Sequence, residues 1–234
     1  MNNTFRRFRR PFLANGKFGK YMVYAIGEII LVVIGILIAL QINNWNEARK
    51  LKVAEKEFYD GVKNDLTQDK AYIKTVLALA QKKDTVYNII SNNLNNWYNE
   101  NRAELDSLLT IYFSSQRTFY PISGSFEAAV SSNEINRFQN KELRQAVTKL
   151  YNSTYARLMD NAEDTDNRWF SVVKKYSRIR RTGHIGEMNE FQREEFLDDI
   201  FYHMYGLDHY SNNLKKAIVA IDSLIIAQSK FLAN

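Results

Sequence analysis

The chain has 234 residues, no cysteine, and a formal net charge of +6 from 32 Lys and Arg against 26 Asp and Glu. Without cysteine it can hold no disulfide, thiol nucleophile, cysteine-ligated zinc or lipoprotein anchor. The length allows one domain, or a membrane anchor followed by one modest domain.

The excess positive charge is confined to the first 20 residues. This segment contains no acidic residue and six basic ones: Arg6, Arg7, Arg9, Arg10, Lys17 and Lys20. The remaining 26 basic residues balance the 26 acidic residues, so the rest of the chain is formally neutral. A basic flank beside an apolar segment is typical of the cytoplasmic side of a membrane span. We therefore interpret residues 1–20 as a cytoplasmic flank that can contact lipid head groups, rather than as a nucleic-acid-binding arm.

Residues 21–45 are predicted to form a single transmembrane helix. The run Ile29–Leu40 contains no polar side chain. A spanning helix needs about 20 mostly apolar residues, and this segment supplies them. Tyr21 and Tyr24 at one end and Trp45 at the other fit the aromatic belts at the two faces of a bilayer.

A cleaved signal peptide is the alternative interpretation of this segment. Its apolar region is usually about 7–15 residues long and is followed by small residues at the cleavage site. Here the apolar run is longer, and Leu37 stands where cleavage requires a small residue. We therefore expect an uncleaved anchor, with the N-terminus in the cytoplasm and the rest of the chain outside the membrane.

Two features of the span exceed what a plain anchor needs. Glu28 places a carboxylate near the cytoplasmic edge, where it can reach head groups, remain protonated, or line a proton or ion path. Gly27, Gly35 and Ala39 share one helix face, and small residues at such spacing let a second helix approach closely. Glu28 is therefore a candidate functional acid, and the three small residues are a candidate helix-pairing face.

The string YAIGEIILVVIGILIALQINNWNEARK, residues 24–50, resembles the N-terminal signature of a bacterial family known as domain of unknown function 6090. Its members are single-span membrane proteins of Gram-negative bacteria. The resemblance implies an inner-membrane anchor followed by a periplasmic helical region. It implies no activity and no functional residue.

Residues 46–234 are predicted to form an all-helical extracytoplasmic domain. Apolar residues recur every three or four positions, which indicates amphipathic helices, and no strand pattern appears. The span is expected to continue as one helix to about Asn92, and a shorter helix is expected over Arg102–Ser114. Pro121 within residues 117–126 indicates a loop. The predicted fold class is all-α, with a single N-terminal transmembrane helix that continues into an antiparallel periplasmic helical bundle.

The later helices are predicted from cap and breaker residues. Ser131 and Glu134 have capping-box spacing and indicate a short helix. Asn140 and Asp208 are expected helix caps, and the helix is expected to be broken or bent near Gly206. The main helices expected here are Lys141–Ile179, Glu190–Tyr205 and Tyr210–Phe231.

No residue pattern in the sequence predicts catalysis. His203 and His209 lack metal-binding spacing, and Asp160–Asp166 lacks the glycine and terminal glutamate of a calcium loop. Ser123 does not stand in the G-x-S-x-G pattern of a nucleophile elbow. We therefore expect no enzyme activity, metal, cofactor or small-molecule substrate.

Two surface features have alternative interpretations. A basic cluster complements the dipole at the end of the Lys141–Ile179 helix, or binds an anionic ligand. Its members are Lys174, Lys175, Arg178, Arg180 and Arg181. Aromatic residues in predicted loops are candidates for a partner surface: Trp97, Tyr98 and Tyr120.

These observations favour a scaffold or interaction module anchored in the bacterial inner membrane. Its expected partners are the lipid bilayer and either another envelope protein or a second copy of the chain, with no nucleic acid. A sensory relay is one alternative, because a helix that continues from the membrane into the domain can transmit a signal. An accessory subunit of an ion-driven envelope complex is another, with Glu28 as its titrating group.

Overall fold

The computed structural model describes residues 16–233, with side chains described from residue 19 onward. The described residues form helices and the connections between them, and contain no strand. This confirms the prediction of an all-α fold. The chain divides into two compact units, Met1–Ala54 and Glu55–Asn234.

Helix α1 (Gly16–Ser91) contains the whole predicted span. The expected continuation of the span to about Asn92 is therefore confirmed. The other helices are α2 (Leu94–Glu100), α3 (Arg102–Tyr112), α4 (Gly124–Ser131), α5 (Lys141–Lys149), α6 (Ala156–Lys175), α7 (Ser177–Thr182) and α8 (Glu190–Leu232). A 3₁₀ turn lies at Glu134–Arg137 and a π-helical turn at Leu150–Tyr155.

Within residues 55–233, four segments of alternating direction form a bundle. The ring of Tyr59 contacts that of Phe231 at 5.0 Å between centroids, and Lys70 pairs with Asp222. The start of the α1 portion therefore lies beside the end of α8, and the two helices are antiparallel. The segment formed by α5 and α6 is likewise antiparallel to α8. The predicted antiparallel bundle is confirmed.

The second segment of the bundle, residues 94–140, is only partly helical. At its start, the Asn95 side chain accepts a hydrogen bond of 2.5 Å from Arg193, near the beginning of α8. At its end, the carbonyl group of Asn140 accepts a hydrogen bond of 3.4 Å from Tyr59. The segment thus runs the length of the bundle as α2, α3, an extended stretch without regular secondary structure (residues 115–123), α4 and the 3₁₀ turn.

Helix α8 is continuous through Gly206, so the predicted break at Gly206 and the cap at Asp208 are wrong. Gly206 is buried, and a Cβ atom added there would lie 2.8 Å from Cδ of Arg168. The absence of a side chain lets Arg168 cross α8 at close range. This glycine therefore serves a close packing contact and does not end a helix.

The predicted capping box at Ser131 and Glu134 is also wrong. Ser131 is the last residue of α4, which begins at Gly124 inside the predicted loop. Asn133 then adopts a left-handed conformation with φ of 58°, and no side chain caps the turn that begins at Glu134. Asparagine tolerates this conformation better than most residues, so the chain reverses here.

The predicted helix from Lys141 to Ile179 is correct in position but is interrupted. Asn140 caps it as expected, because its side chain accepts a hydrogen bond of 3.0 Å from the backbone N–H of Leu143. The π-helical turn then inserts an extra residue into the helical repeat. Tyr176 leaves the helical conformation and separates α6 from α7.

Candidate functional site

The predicted span lies on an uncovered apolar helix. Within the described residues, a stretch of α1 contains an 18-residue window of mean hydropathy 2.7, and none of that window is buried. Large apolar side chains there range from 47% exposed at Val33 to 77% at Tyr24. By length and composition this helix can cross a membrane. The chain is therefore compatible with a single-pass membrane protein.

The candidate residues of the span are exposed along α1. A Cβ atom added to Gly27 or Gly35 would meet no heavy atom within 4 Å, and Ala39 and Glu28 are exposed as well. The interface aromatics Tyr21, Tyr24 and Trp45 are 74%, 77% and 67% exposed. Of the basic flank, Arg6, Arg7, Arg9 and Arg10 lie outside the described residues, whereas Lys17 and Lys20 belong to the first turns of α1.

A polar centre lies inside the bundle; we define it by three buried residues, Lys83, Tyr112 and His203, and two half-buried ones, Gln116 and Asp166. The Tyr112 hydroxyl lies 2.6 Å from Nδ1 of His203, and Oε1 of Gln116 lies 2.8 Å from Nε2. Because an amide oxygen only accepts, Nε2 carries the proton and Nδ1 accepts from Tyr112. The Gln116 amide then donates to Asp166 over 3.3 Å. The polar centre is thus a directed chain of hydrogen bonds.

His203 is neutral at physiological pH. Its side chain is fully buried, and this burial, reinforced by the charges of Lys83 and Arg168, lowers its pKa to about 3. A protonated His203 would donate from Nδ1 to the Tyr112 oxygen, and the Tyr112 hydroxyl proton would then lose its acceptor. The geometry therefore suits one protonation state and one tautomer.

Lys83 closes one end of the polar centre. Its Nζ atom donates to the carbonyl groups of Tyr112 and Ser114, at the end of α3. The same atom lies 3.6 Å from the centroid of the Trp169 ring. Burial, followed by the charge of Arg180, lowers the pKa of Lys83 to about 7. Lys83 thus satisfies carbonyl groups that a helix end leaves without partners.

A series of carboxylates on α1 holds the non-helical part of the second segment. Backbone N–H groups outside helices need acceptors when they are buried. Glu55 accepts from the N–H groups of Gln139 and Asn140, at 3.1 and 2.9 Å. Asp69 accepts from Ile122 at 2.9 Å. The non-helical parts of residues 94–140 are therefore bound to α1 at two places through charged acceptors.

Asp69 is the most buried member of this series. It also accepts a hydrogen bond of 2.8 Å from the Tyr155 hydroxyl, and its residue surface is 1% exposed. Burial raises its pKa to about 6. The bonds from Ile122 and Tyr155 lower the pKa, and the nearby charge of Asp65 raises it. Burial therefore outweighs the two donors at this site.

The charged residues inside the bundle were missed by the sequence analysis, although a signal exists. Ala80 follows Val76 by four positions and Lys83 follows Ala80 by three, so Lys83 falls on the apolar stripe of α1. Asp69 lies three positions after the buried Leu66 and four before the buried Ile73, so it falls on the same kind of stripe. A charged residue at a core position of a helix must find internal partners. Such positions mark the buried polar network.

The aromatic residues and the basic cluster predicted at the surface differ in their exposure and contacts. Tyr98 is only 7% exposed, and its hydroxyl accepts a hydrogen bond of 2.7 Å from the N–H of Met188. The prediction that it forms a partner surface is therefore wrong, whereas Tyr120 is 73% exposed. Lys175, from the basic cluster, pairs with Glu195 and Asp199 of α8, each at 2.7 Å.

Within residues 19–233, the fold and the span define a helical-bundle protein with one helix that can cross a membrane. A family model described as "Family of unknown function (DUF6090)" matches residues 28–183, which is more than half of the chain. The chain therefore belongs to this family, as its N-terminal signature implies. No curated protein and no solved structure matches the chain.

Proposed function

We propose that this chain is a single-pass protein of the bacterial inner membrane whose helical unit serves as an interaction module in the periplasm. The observation that supports anchoring is the uncovered apolar surface of α1, which is unfavourable in water and stable in hydrocarbon. The basic residues of the first 20 positions support a cytoplasmic N-terminus. The module then binds another envelope protein or a second copy.

An exposed aromatic face on α8 supports the interaction role. We define this aromatic face by Phe201, Tyr202 and Tyr205, which are 55%, 58% and 65% exposed. The guanidinium group of Arg168 lies 4.0 Å from the centroid of the Tyr202 ring. Aromatic side chains and arginine are the residue types that dominate the energetics of protein interfaces. We place the contact with the partner protein on this face.

The orientation has a direct test. A reporter enzyme that is active only outside the cytoplasm, fused after Asn234, should be active in intact bacteria. The positive-inside bias of the N-terminal flank is the physical reason. The control is a fusion of a reporter active only inside the cytoplasm at the same position. Activity of the control fusion, with no activity of the first, would contradict the proposed topology.

The partner has a separate test that uses the full chain extracted from membranes in detergent. Native mass spectrometry should show a complex with a second protein or a second copy. The double substitution Phe201→Ala and Tyr205→Ala should abolish this complex, because it removes two large apolar contacts. The matched control is Val219→Ala with Ile226→Ala, two residues of α8 that are 67% and 58% exposed.

The control variant should keep the complex. A natural chain that is monomeric and without partner after gentle extraction would contradict the interaction role. Equal loss of the complex in both double variants would show that the aromatic face is not the specific contact.

A further inference from the structure

A groove of about 490 Å³ opens beside the polar centre, between residues 115–118 and helices α6 and α7. Its lining residues include Tyr72, Gln116, Arg117, Asp166, Phe170 and Arg180. This volume lies within the range of about 300–1,000 Å³ that is usual for small-ligand sites. We call it the arginine groove.

The walls of the arginine groove are held in place by internal bonds. The Thr118 hydroxyl donates to Asp166 over 2.8 Å, and the Gln116 amide donates to the other oxygen of the same carboxylate. These bonds join the extended stretch to α6. Trp169 lines the groove and is 5% exposed, with Lys83 packed against its ring. The part of the groove formed by Gln116, Thr118, Asp166 and Trp169 is therefore preorganised.

The charges around the groove favour an anion. Arg117 and Arg180 are exposed, and neither forms an ion pair or hydrogen bond with any residue that the structure describes. Asp166 already accepts bonds from Gln116 and Thr118. Two guanidinium groups thus remain available against one carboxylate that is already hydrogen-bonded. A guanidinium group is a planar fork that matches a carboxylate in a bidentate arrangement.

The aromatic part of the lining favours a flat apolar group. Phe170 of α6 is 67% exposed, and Tyr72 of α1 is partly exposed. Aromatic rings prefer offset or edge contacts with other rings. We propose that the arginine groove binds a small organic carboxylate that carries a planar apolar ring, with Arg117 and Arg180 as its charge partners.

Binding is tested on the full chain in nanodiscs of a neutral phospholipid. The probe is 4-fluorobenzoate, observed by fluorine NMR, and the uncharged comparison is 4-fluorobenzyl alcohol. Empty nanodiscs measure partition of both compounds into lipid. Saturable binding of 4-fluorobenzoate is expected, with at least about tenfold weaker binding of the alcohol, because the charge-assisted bonds are lost.

Two variants of equal charge locate the site. The double substitution Arg117→Gln and Arg180→Gln should weaken 4-fluorobenzoate binding at least about tenfold. The matched control, Lys174→Gln with Arg181→Gln, removes two exposed cations that do not line the groove, and should change binding less than about twofold. Thermal unfolding should be the same for both variants, since all four side chains are exposed.

Each contrary outcome overturns the proposal. Absence of saturable binding up to about 10 mM 4-fluorobenzoate would show that the groove holds no such ligand. Equal binding of the alcohol would remove the role of charge, and equal weakening in the control variant would show only a diffuse attraction to positive surface.

Discussion

Replacing Asp69 with alanine is expected to lower the free energy of unfolding by about 2–3 kcal/mol. The substitution leaves the N–H of Ile122 and the hydroxyl of Tyr155 without their acceptor, and Tyr155 is 1% exposed. It also removes a hydrogen bond that joins the extended stretch to α1. Urea or thermal unfolding of the full chain in detergent measures the loss.

The matched variant is Asp69→Asn, which has nearly the same shape. Its amide oxygen can accept from Ile122 and its NH₂ group can donate to the oxygen of Tyr155. We therefore expect a change within about 1 kcal/mol at neutral pH. An equal loss in the alanine and asparagine variants would show that the carboxylate charge, and not the hydrogen-bond pattern, holds this segment.

Asp69 also affects how the free energy of unfolding depends on pH. Its pKa in the folded protein is about 6, above its ordinary value of 3.8. Between these values the folded state binds more protons than the unfolded state, so this group's contribution to stability falls as the pH rises from about 4 to about 6. In Asp69→Asn that contribution should be absent.

Replacing His203 with leucine is expected to lower the free energy of unfolding by about 3 kcal/mol at neutral pH. The Tyr112 hydroxyl and the Gln116 side chain each lose their partner in the polar centre, and Tyr112 is fully buried. The matched control is His209→Leu, the same substitution at an exposed position of α8. We expect it to change stability by less than about 0.5 kcal/mol.

The contribution of His203 to stability changes with pH in the opposite direction to that of Asp69. Its pKa is lowered from 6.5 to about 3, so the unfolded state binds more protons between these values. The contribution of His203 to stability is therefore fully present above about pH 6.5. It falls as the pH drops below this value, by at most about 1.4 kcal/mol per pH unit.

The two variants should separate these opposing contributions. Asp69→Asn should be more sensitive to acid between pH 6 and 4 than the natural chain, because the loss from His203 is no longer opposed. His203→Leu should be less sensitive over the same interval. Unfolding curves measured from pH 4 to 8 provide the comparison, and identical slopes in all three proteins would contradict both assignments.

Much of the fold was predictable because helical periodicity and hydropathy are local properties. The steps of three and four between apolar residues predicted α1 to within one residue of its end at Ser91, and the cap at Asn140 was predicted from one side chain. At Gly206 the local pattern is not sufficient to predict the structure. Glycine lowers helix propensity, but its packing against Arg168 depends on a residue 38 positions earlier.

The buried polar centre was not predictable as a site for the same reason. His203 lies 91 residues from Tyr112 and 87 from Gln116, and the sequence contains no spacing rule that joins them. Lys83 and Asp69 do carry a local signal, since they interrupt an apolar stripe. That signal shows only that partners must exist, and the identity of the partners depends on which segments pack together.

The sequence by itself determined the apolar span, the all-α class and the family signature of residues 24–50, because these depend on composition and on short-range spacing. Only the tertiary structure decided that residues 94–140 complete the bundle, partly in extended form, with their N–H groups bound to Glu55 and Asp69. It also decided that His203 is neutral and that the arginine groove exists. These features arise from contacts between residues far apart in the chain, which local pattern does not encode.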